Sequence, residues 1–212
     1  MSRCITITTS SVVLALAALG GRAPLVSQEQ RVLVVEPAAP LEVPAGAEQF
    51  RMSGTIDNNQ PVSAAAPGFS AEPCDQLRAS YAPGSLGEAR SQLTSEGQFG
   101  GTHFRDAVVF IEACIFAPPP TIVAVLTVTV ADGDVLSLRI RAAQDADGPP
   151  PPDSEATGSG TITGGTGRFA GASGQFNLTA KSHGSVLPGT NVSTQRDIDI
   201  NGYIEFPAAN EE

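Results

Sequence analysis

The chain has 212 residues, 41% of them hydrophobic, and carries 12 Lys and Arg against 22 Asp and Glu for a net charge of −10. That is enough length and apolar content for one packed core, while the acidic balance disfavours nucleic acid and anionic membrane surfaces as partners. The absence of tryptophan and an aromatic content of 5% argue against a carbohydrate-stacking site.

Residues 1–23 have the form of a secretory leader. Met1-Ser2-Arg3 supplies one positive charge, an apolar stretch centres on residues 12–19, and small residues come after it. The densest apolar run is shorter than the ~20 residues a membrane span needs. Export to the periplasm, cell surface or medium is therefore expected, with no membrane association once the leader is removed. Residues 24–48 read as an irregular segment. Residues 31–35 suit a strand, but Pro37, Pro40 and Pro44 keep the chain beyond it extended.

Residues 49–56 alternate as a strand, closed by a turn at Asp57-Asn58-Asn59. From 61 to about 90 the chain is rich in Pro, Ala, Gly and Ser, which predicts a long loop with one helical turn near residues 75–81. Once Cys4 leaves with the leader, Cys74 and Cys114 remain. In an oxidising compartment they suggest one disulfide tying the loop to a strand, and the alternative of two separate buried thiols stays open. His103 and His183 are the only histidines, with no C-x-x-C or H-x-x-x-H spacing, so no metal site is expected.

Residues 105–116 predict a long strand that is apolar on both faces, stopped by Pro118–Pro120. Residues 121–130 alternate, Asp132-Gly133 marks a hairpin turn, and residues 135–141 return with Leu136, Leu138 and Ile140 on one face. These three runs predict an antiparallel meander. An acidic, proline-rich spacer spans 145–155. Next comes a glycine cluster at Gly164, Gly165, Gly167, Gly171 and Gly174, with strands expected at 161–163 and 175–179. A polar loop is expected over 181–194. The last strand, 196–206, puts Ile198, Ile200, Gly202, Ile204 and Phe206 on one face, and residues 207–212 read as a disordered tail.

Residues 165–170 satisfy the loose G-x-G-x-x-G/A pattern of dinucleotide loops, yet that chemistry needs a helix directly after the glycines to receive the pyrophosphate. Gly171-Ala172-Ser173-Gly174 and an alternating run stand there instead. Each glycine costs a helix about 1 kcal/mol, so no nucleotide cofactor is expected. The stretch TITGGTGRFAGASG, with the terminal strand IDINGYIEF, resembles bacterial secreted proteins with an allene oxide cyclase barrel-like domain, similar in fold to plant allene oxide cyclases and dirigent proteins. The resemblance covers about residues 90–206. It implies an all-β chain forming a single eight-stranded antiparallel β-barrel over 49–206 with a central cavity, and association into oligomers. In such a barrel the long loop before residue 90 is placed to act as a lid on the mouth.

The barrel sets the expected activities: a module that binds a small apolar molecule, a cyclase or isomerase shaping a reactive intermediate, or a structural protein with a filled interior. The candidate catalytic residues are Glu112, which shares a face with Val108, Phe110, Cys114 and Phe116, and Tyr203 on the last strand. Phe110, Asn201, Arg139 and Arg141 are the candidate ligand-binding residues. The competing reading places Glu112 in solvent, or pairs it with Arg139 or Arg141.

Overall fold

The structure, a computed structural model, describes residues 40–57, 59–63, 69–117, 121–144, 153–186 and 193–207. The expected leader, the candidate strand at 31–35, the prolines at 118–120, most of the acidic spacer and residues 208–212 lie outside this set.

Nine strands form one antiparallel sheet. They are β1 (Glu48–Ile56), β2 (Gln60–Ser63), β3 (Glu88–Gly101), β4 (Ala107–Ala117), β5 (Thr121–Thr129), β6 (Val135–Gln144), β7 (Glu155–Gly165), β8 (Ser173–Val186) and β9 (Ser193–Glu205). The order β1-β9-β8-β7-β6-β5-β4-β3 closes on itself, because β1 also pairs with β3 from Met52↔Gly101 to Ile56↔Gly97. The result is a closed eight-stranded barrel with β2 as an extra strand. β2 carries the pairing onward along β3, from Gln60↔Thr94. Among the described residues closure leaves no long unpaired edge.

The two-residue side-chain period sends alternate residues inward. Met52, Phe99, Val109, Leu126, Leu138, Ile162, Phe176 and Ile200 meet in one core. Two glycines face it beneath rings on the neighbouring strand: Phe99 lies opposite Gly54, and Phe176 opposite Gly160. A Cβ at Gly160 would run into the Phe176 ring, so the ring fills the space that the glycine leaves.

The expected loop from 61 to 90 is more ordered than its composition predicts. It contains β2, a helix α1 (Ala71–Ala79) in place of one turn at 75–81, and the start of β3. The helix does not roof a mouth. It lies against the outer wall, where Cys74 is bonded to Cys114 of β4 and packs with Phe116, Val123 and Leu77. β3 has weak sequence signal because only Leu93 and Phe99 of its inward residues are large and apolar, the others being Ser95 and Gly97. The expected polar loop at 181–194 is shorter, since β8 runs to Val186 and β9 begins at Ser193.

The glycine corner is a plug. After β7 the chain makes a three-residue 3-10 turn, Gly167–Phe169, and then enters β8. No helix of the kind a nucleotide loop requires comes next. Gly167 has φ +57, and a Cβ there would collide with the Asp134 carboxylate, which accepts the Arg168 backbone N–H at 3.2 Å. The corner is thereby held on the β5–β6 turn. Phe169 is driven into the barrel end and stacks on Phe104 at 5.6 Å between centroids. Phe50 meets the edges of Phe104 and Phe176 at 6.1 and 6.2 Å. Outside, the Arg168 guanidinium lies 4.9 Å over the Phe169 ring and donates to the His103 carbonyl at 3.2 Å. This end is sealed by aromatic packing.

Candidate functional site

The other half of the barrel is lined differently. Ala113, Ala124, Ala142, Ala156 and Ala180 face inward from five successive strands, β4 to β8. Ala113 stands directly opposite Ala124, and Ala156 opposite Ala180. Methyl groups in place of branched side chains leave a cavity of about 50 Å³, completed by Ile111, Leu126, Ile140 and Leu178. It lies at the end where β1, β4, β6 and β8 finish and β5, β7 and β9 begin.

Three polar residues meet the cavity at that end: Arg196, Asn59 and Ser95. Arg196 continues the inward face of β9, two residues before Ile198 and directly between Ile56 and Ser182 on the flanking strands. Its Nε donates to Ser182 Oγ at 3.1 Å. Burial pushes the guanidinium below its ordinary pKa, because the apolar surroundings disfavour the charged form. Among the described residues no carboxylate lies within ion-pair distance of it. Asn59 Nδ2 donates to the Ser193 carbonyl at 2.8 Å, and Ser95 Oγ donates to Asn59 Oδ1 at 2.6 Å. Both are held rigidly, as buried polar groups must be.

The sequence candidates fall elsewhere. Glu112 is exposed on the outer wall, so the expectation that its face lines a cavity is corrected. β4 is apolar on both sides; its inward set is Ala107, Val109, Ile111 and Ala113, while Val108 and Phe110 remain 42% and 44% exposed outside. Periodicity alone does not choose between two apolar faces. Phe110, exposed there, is likewise outside the barrel. Glu112 pairs with neither arginine: it is opposite Val125, and Val125 is opposite Arg139, a full strand away. Tyr203 is buried, yet it alternates with the inward Gly202 and Ile204 and so belongs to the outer side of β9, as does the exposed Asn201. Arg139 and Arg141 also face out, alternating with Leu138, Ile140 and Ala142. Sequence reasoning passes over Arg196, Asn59 and Ser95. Arg196 does carry a signal, since it lies in phase with Ile198 and Ile200.

A surface cluster neighbours the cavity end on the outside. Thr55 Oγ1 donates to Asp197 Oδ1 at 2.7 Å, and His183 Nε2 sits 3.1 Å from Asp197 Oδ2. The Thr55 hydrogen bond first, and the His183 contact second, hold the Asp197 carboxyl below its usual pKa. A depressed folded-state pKa stabilises the fold above the unfolded value and loses that contribution as pH falls through the folded value. The carboxylate is well exposed, so solvent screening keeps the effect small. Asp197→Asn is expected to lower stability slightly above about pH 4 and to leave it unchanged at the acid extreme, so the acid limb of the stability–pH profile flattens; chemical denaturation across pH would reveal it.

Comparisons of the chain with protein-family models, with curated proteins and with solved structures found no match. Among the described residues there is no cluster of three or more His, Cys, Asp or Glu able to hold a metal ion.

Proposed function

We propose that this is an exported barrel that binds a small apolar molecule in its alanine-lined half, with the ligand's polar end at Arg196. The single observation that carries this reading is a part-buried cation without a carboxylate partner, among the described residues, set with Asn59 and Ser95 on the rim of a cavity whose other walls are apolar. Burying a charge is costly unless something compensates it, and a ligand carboxylate or other anionic group would do so. Sites of this class combine apolar walls with a few placed polar groups. The enclosed volume of about 50 Å³ is well below the roughly 150 Å³ of a dry cavity that holds benzene. The deep part therefore takes the end of an apolar chain, and the remainder lies towards the mouth. The leader-like residues 1–23 support export, and the resemblance of the glycine corner supports kinship with allene oxide cyclase barrel-like proteins.

A cyclase or isomerase reading is weaker, because the one ionisable group among the described cavity residues is Arg196, a poor proton donor or acceptor. The small volume favours a second reading, a filled barrel with a structural role. Straight-chain carboxylates of increasing length separate the two. Binding predicts thermal stabilisation that rises with chain length, exceeds that given by the matching alcohols, and loses its carboxylate preference in Arg196→Gln. A flat response across the series, with unmoved NMR signals for Ala124 and Leu126, would leave the filled barrel.

A further inference from the structure

Outside the barrel, a groove of about 460 Å³ runs between Tyr81, just beyond the end of α1, and the outer faces of β6, β7 and β8. Its wall is built in register. Arg139 stands opposite Thr161, and Thr161 opposite Gln175; one layer along, Arg141 stands opposite Ser159. Two guanidiniums, two hydroxyls and an amide therefore share one face. The Arg141 guanidinium lies 5.6 Å over the Tyr81 ring and donates to the Ser85 carbonyl at 3.2 Å, which fixes its position. Arg139 Nε is buried and has no hydrogen-bond partner among the described residues. Burial raises the Tyr81 pKa while Arg139 and Arg141 both oppose the rise, which places both cations in the field of the phenol.

Among the described residues four cations have no carboxylate partner, Arg105, Arg139, Arg141 and Arg196, and of these Arg139 and Arg141 stand two residues apart on one face of one strand. Arg51, Arg78, Arg90, Arg168 and Lys181 each have a carboxylate partner. Arg139 and Arg141 have none among the described residues, in a chain with nearly twice as many acids as bases. Adjacent like charges repel, so a site that keeps two of them is matched to an anion. We propose that this groove is a second site, separate from the barrel cavity, which binds the dianionic phosphate of a small phosphomonoester. Arginine forks suit phosphate oxygens, two positive charges match a dianion better than a monoanionic sulfate ester or carboxylate, and Ser159, Thr161 and Gln175 supply further donors. Tyr81 offers an aromatic surface at the groove's edge.

The test uses the full chain with phenyl phosphate, phenyl sulfate and inorganic phosphate, read by titration calorimetry and amide NMR. Phenyl phosphate is expected to bind saturably, moving the amides of Tyr81, Ser159 and Thr161. Its affinity should fall roughly ten-fold or more in Arg139→Gln/Arg141→Gln, from the loss of charge-assisted hydrogen bonds. Arg139→Lys/Arg141→Lys, which keeps the charge and loses the forks, should fall between. Arg90→Gln, on a different strand, should bind as the parent does. Binding should also weaken as pH drops through the second phosphate pKa, about 6. Equal affinity for phenyl sulfate, unchanged affinity in either double variant, or shifts that never saturate would each overturn the proposal.

Discussion

Replacing both cysteines, Cys74→Ala/Cys114→Ala, is expected to lower stability by about 4 kcal/mol, the chain-entropy value for a loop of this size. For a domain this long, that shifts the melting temperature by roughly 8–16 °C. The bond spans a sequence separation of 40 residues, so its removal returns considerable freedom to the unfolded chain. A second effect adds to the first. α1 has nine residues, no side-chain N-cap hydrogen bond, and one fully buried side chain, Cys74 itself. Helices this short are marginal in water unless packing holds them. Without the bond the helix should detach from Phe116 and Val123 while the barrel persists. Scanning calorimetry would give the melting shift, and limited proteolysis should cut between β2 and β3 before it cuts any strand. A shift of less than about 2 °C would mean that packing, rather than the cross-link, holds the helix.

Phe104→Ala is expected to cost about 3–5 kcal/mol, the usual range for deleting a buried aromatic side chain. Phe104 is fully buried, although it sits in the connection between β3 and β4 rather than in a strand. It is the middle layer of the plug, stacked on Phe169 and met by Phe50 edge-on. Its loss leaves the sealed end with a void that neighbours on a hydrogen-bonded barrel cannot close. Phe206 provides the contrast: 36% exposed and stacked on Phe169 from the rim, it should lose about 1 kcal/mol or less on truncation. Denaturant melts of the two variants would measure the difference. Comparable losses at both positions would show that the plug is not what closes that end.

Much of the architecture can be read from residue order. The D-G turn at Asp132-Gly133, the alternation across β5 and β6, and the alternation of β9 define antiparallel pairs by local rules of period and turn chemistry. The glycine corner is equally local, since positive φ at Gly167 needs no distant partner to be recognised. β3 is harder to see because its inward positions are Ser95 and Gly97 as well as Leu93 and Phe99. Glycine there is a response to a neighbouring strand: a Cβ on Gly97 would strike the Thr55 carbonyl of β1.

The candidate site is less accessible to such reading. Glu112 stands out because it interrupts an apolar face, and that face is the outer one. Which side of β4 points inward depends on the direction in which the whole sheet curls, a property of closure rather than of any twelve-residue window. The alanine ring makes the same point, for it comes from five strands and has no signature in any one of them.

Residue order alone is enough for a β-protein with a hairpin meander, a glycine bend and two cysteines free to pair, because turns and alternation act between near neighbours. It took the folded chain to show that the bend plugs one end, that Arg196 rims the cavity at the other, and that Arg139 and Arg141 share an outer groove with Tyr81. Those relations exist only once distant strands are brought side by side in a closed register.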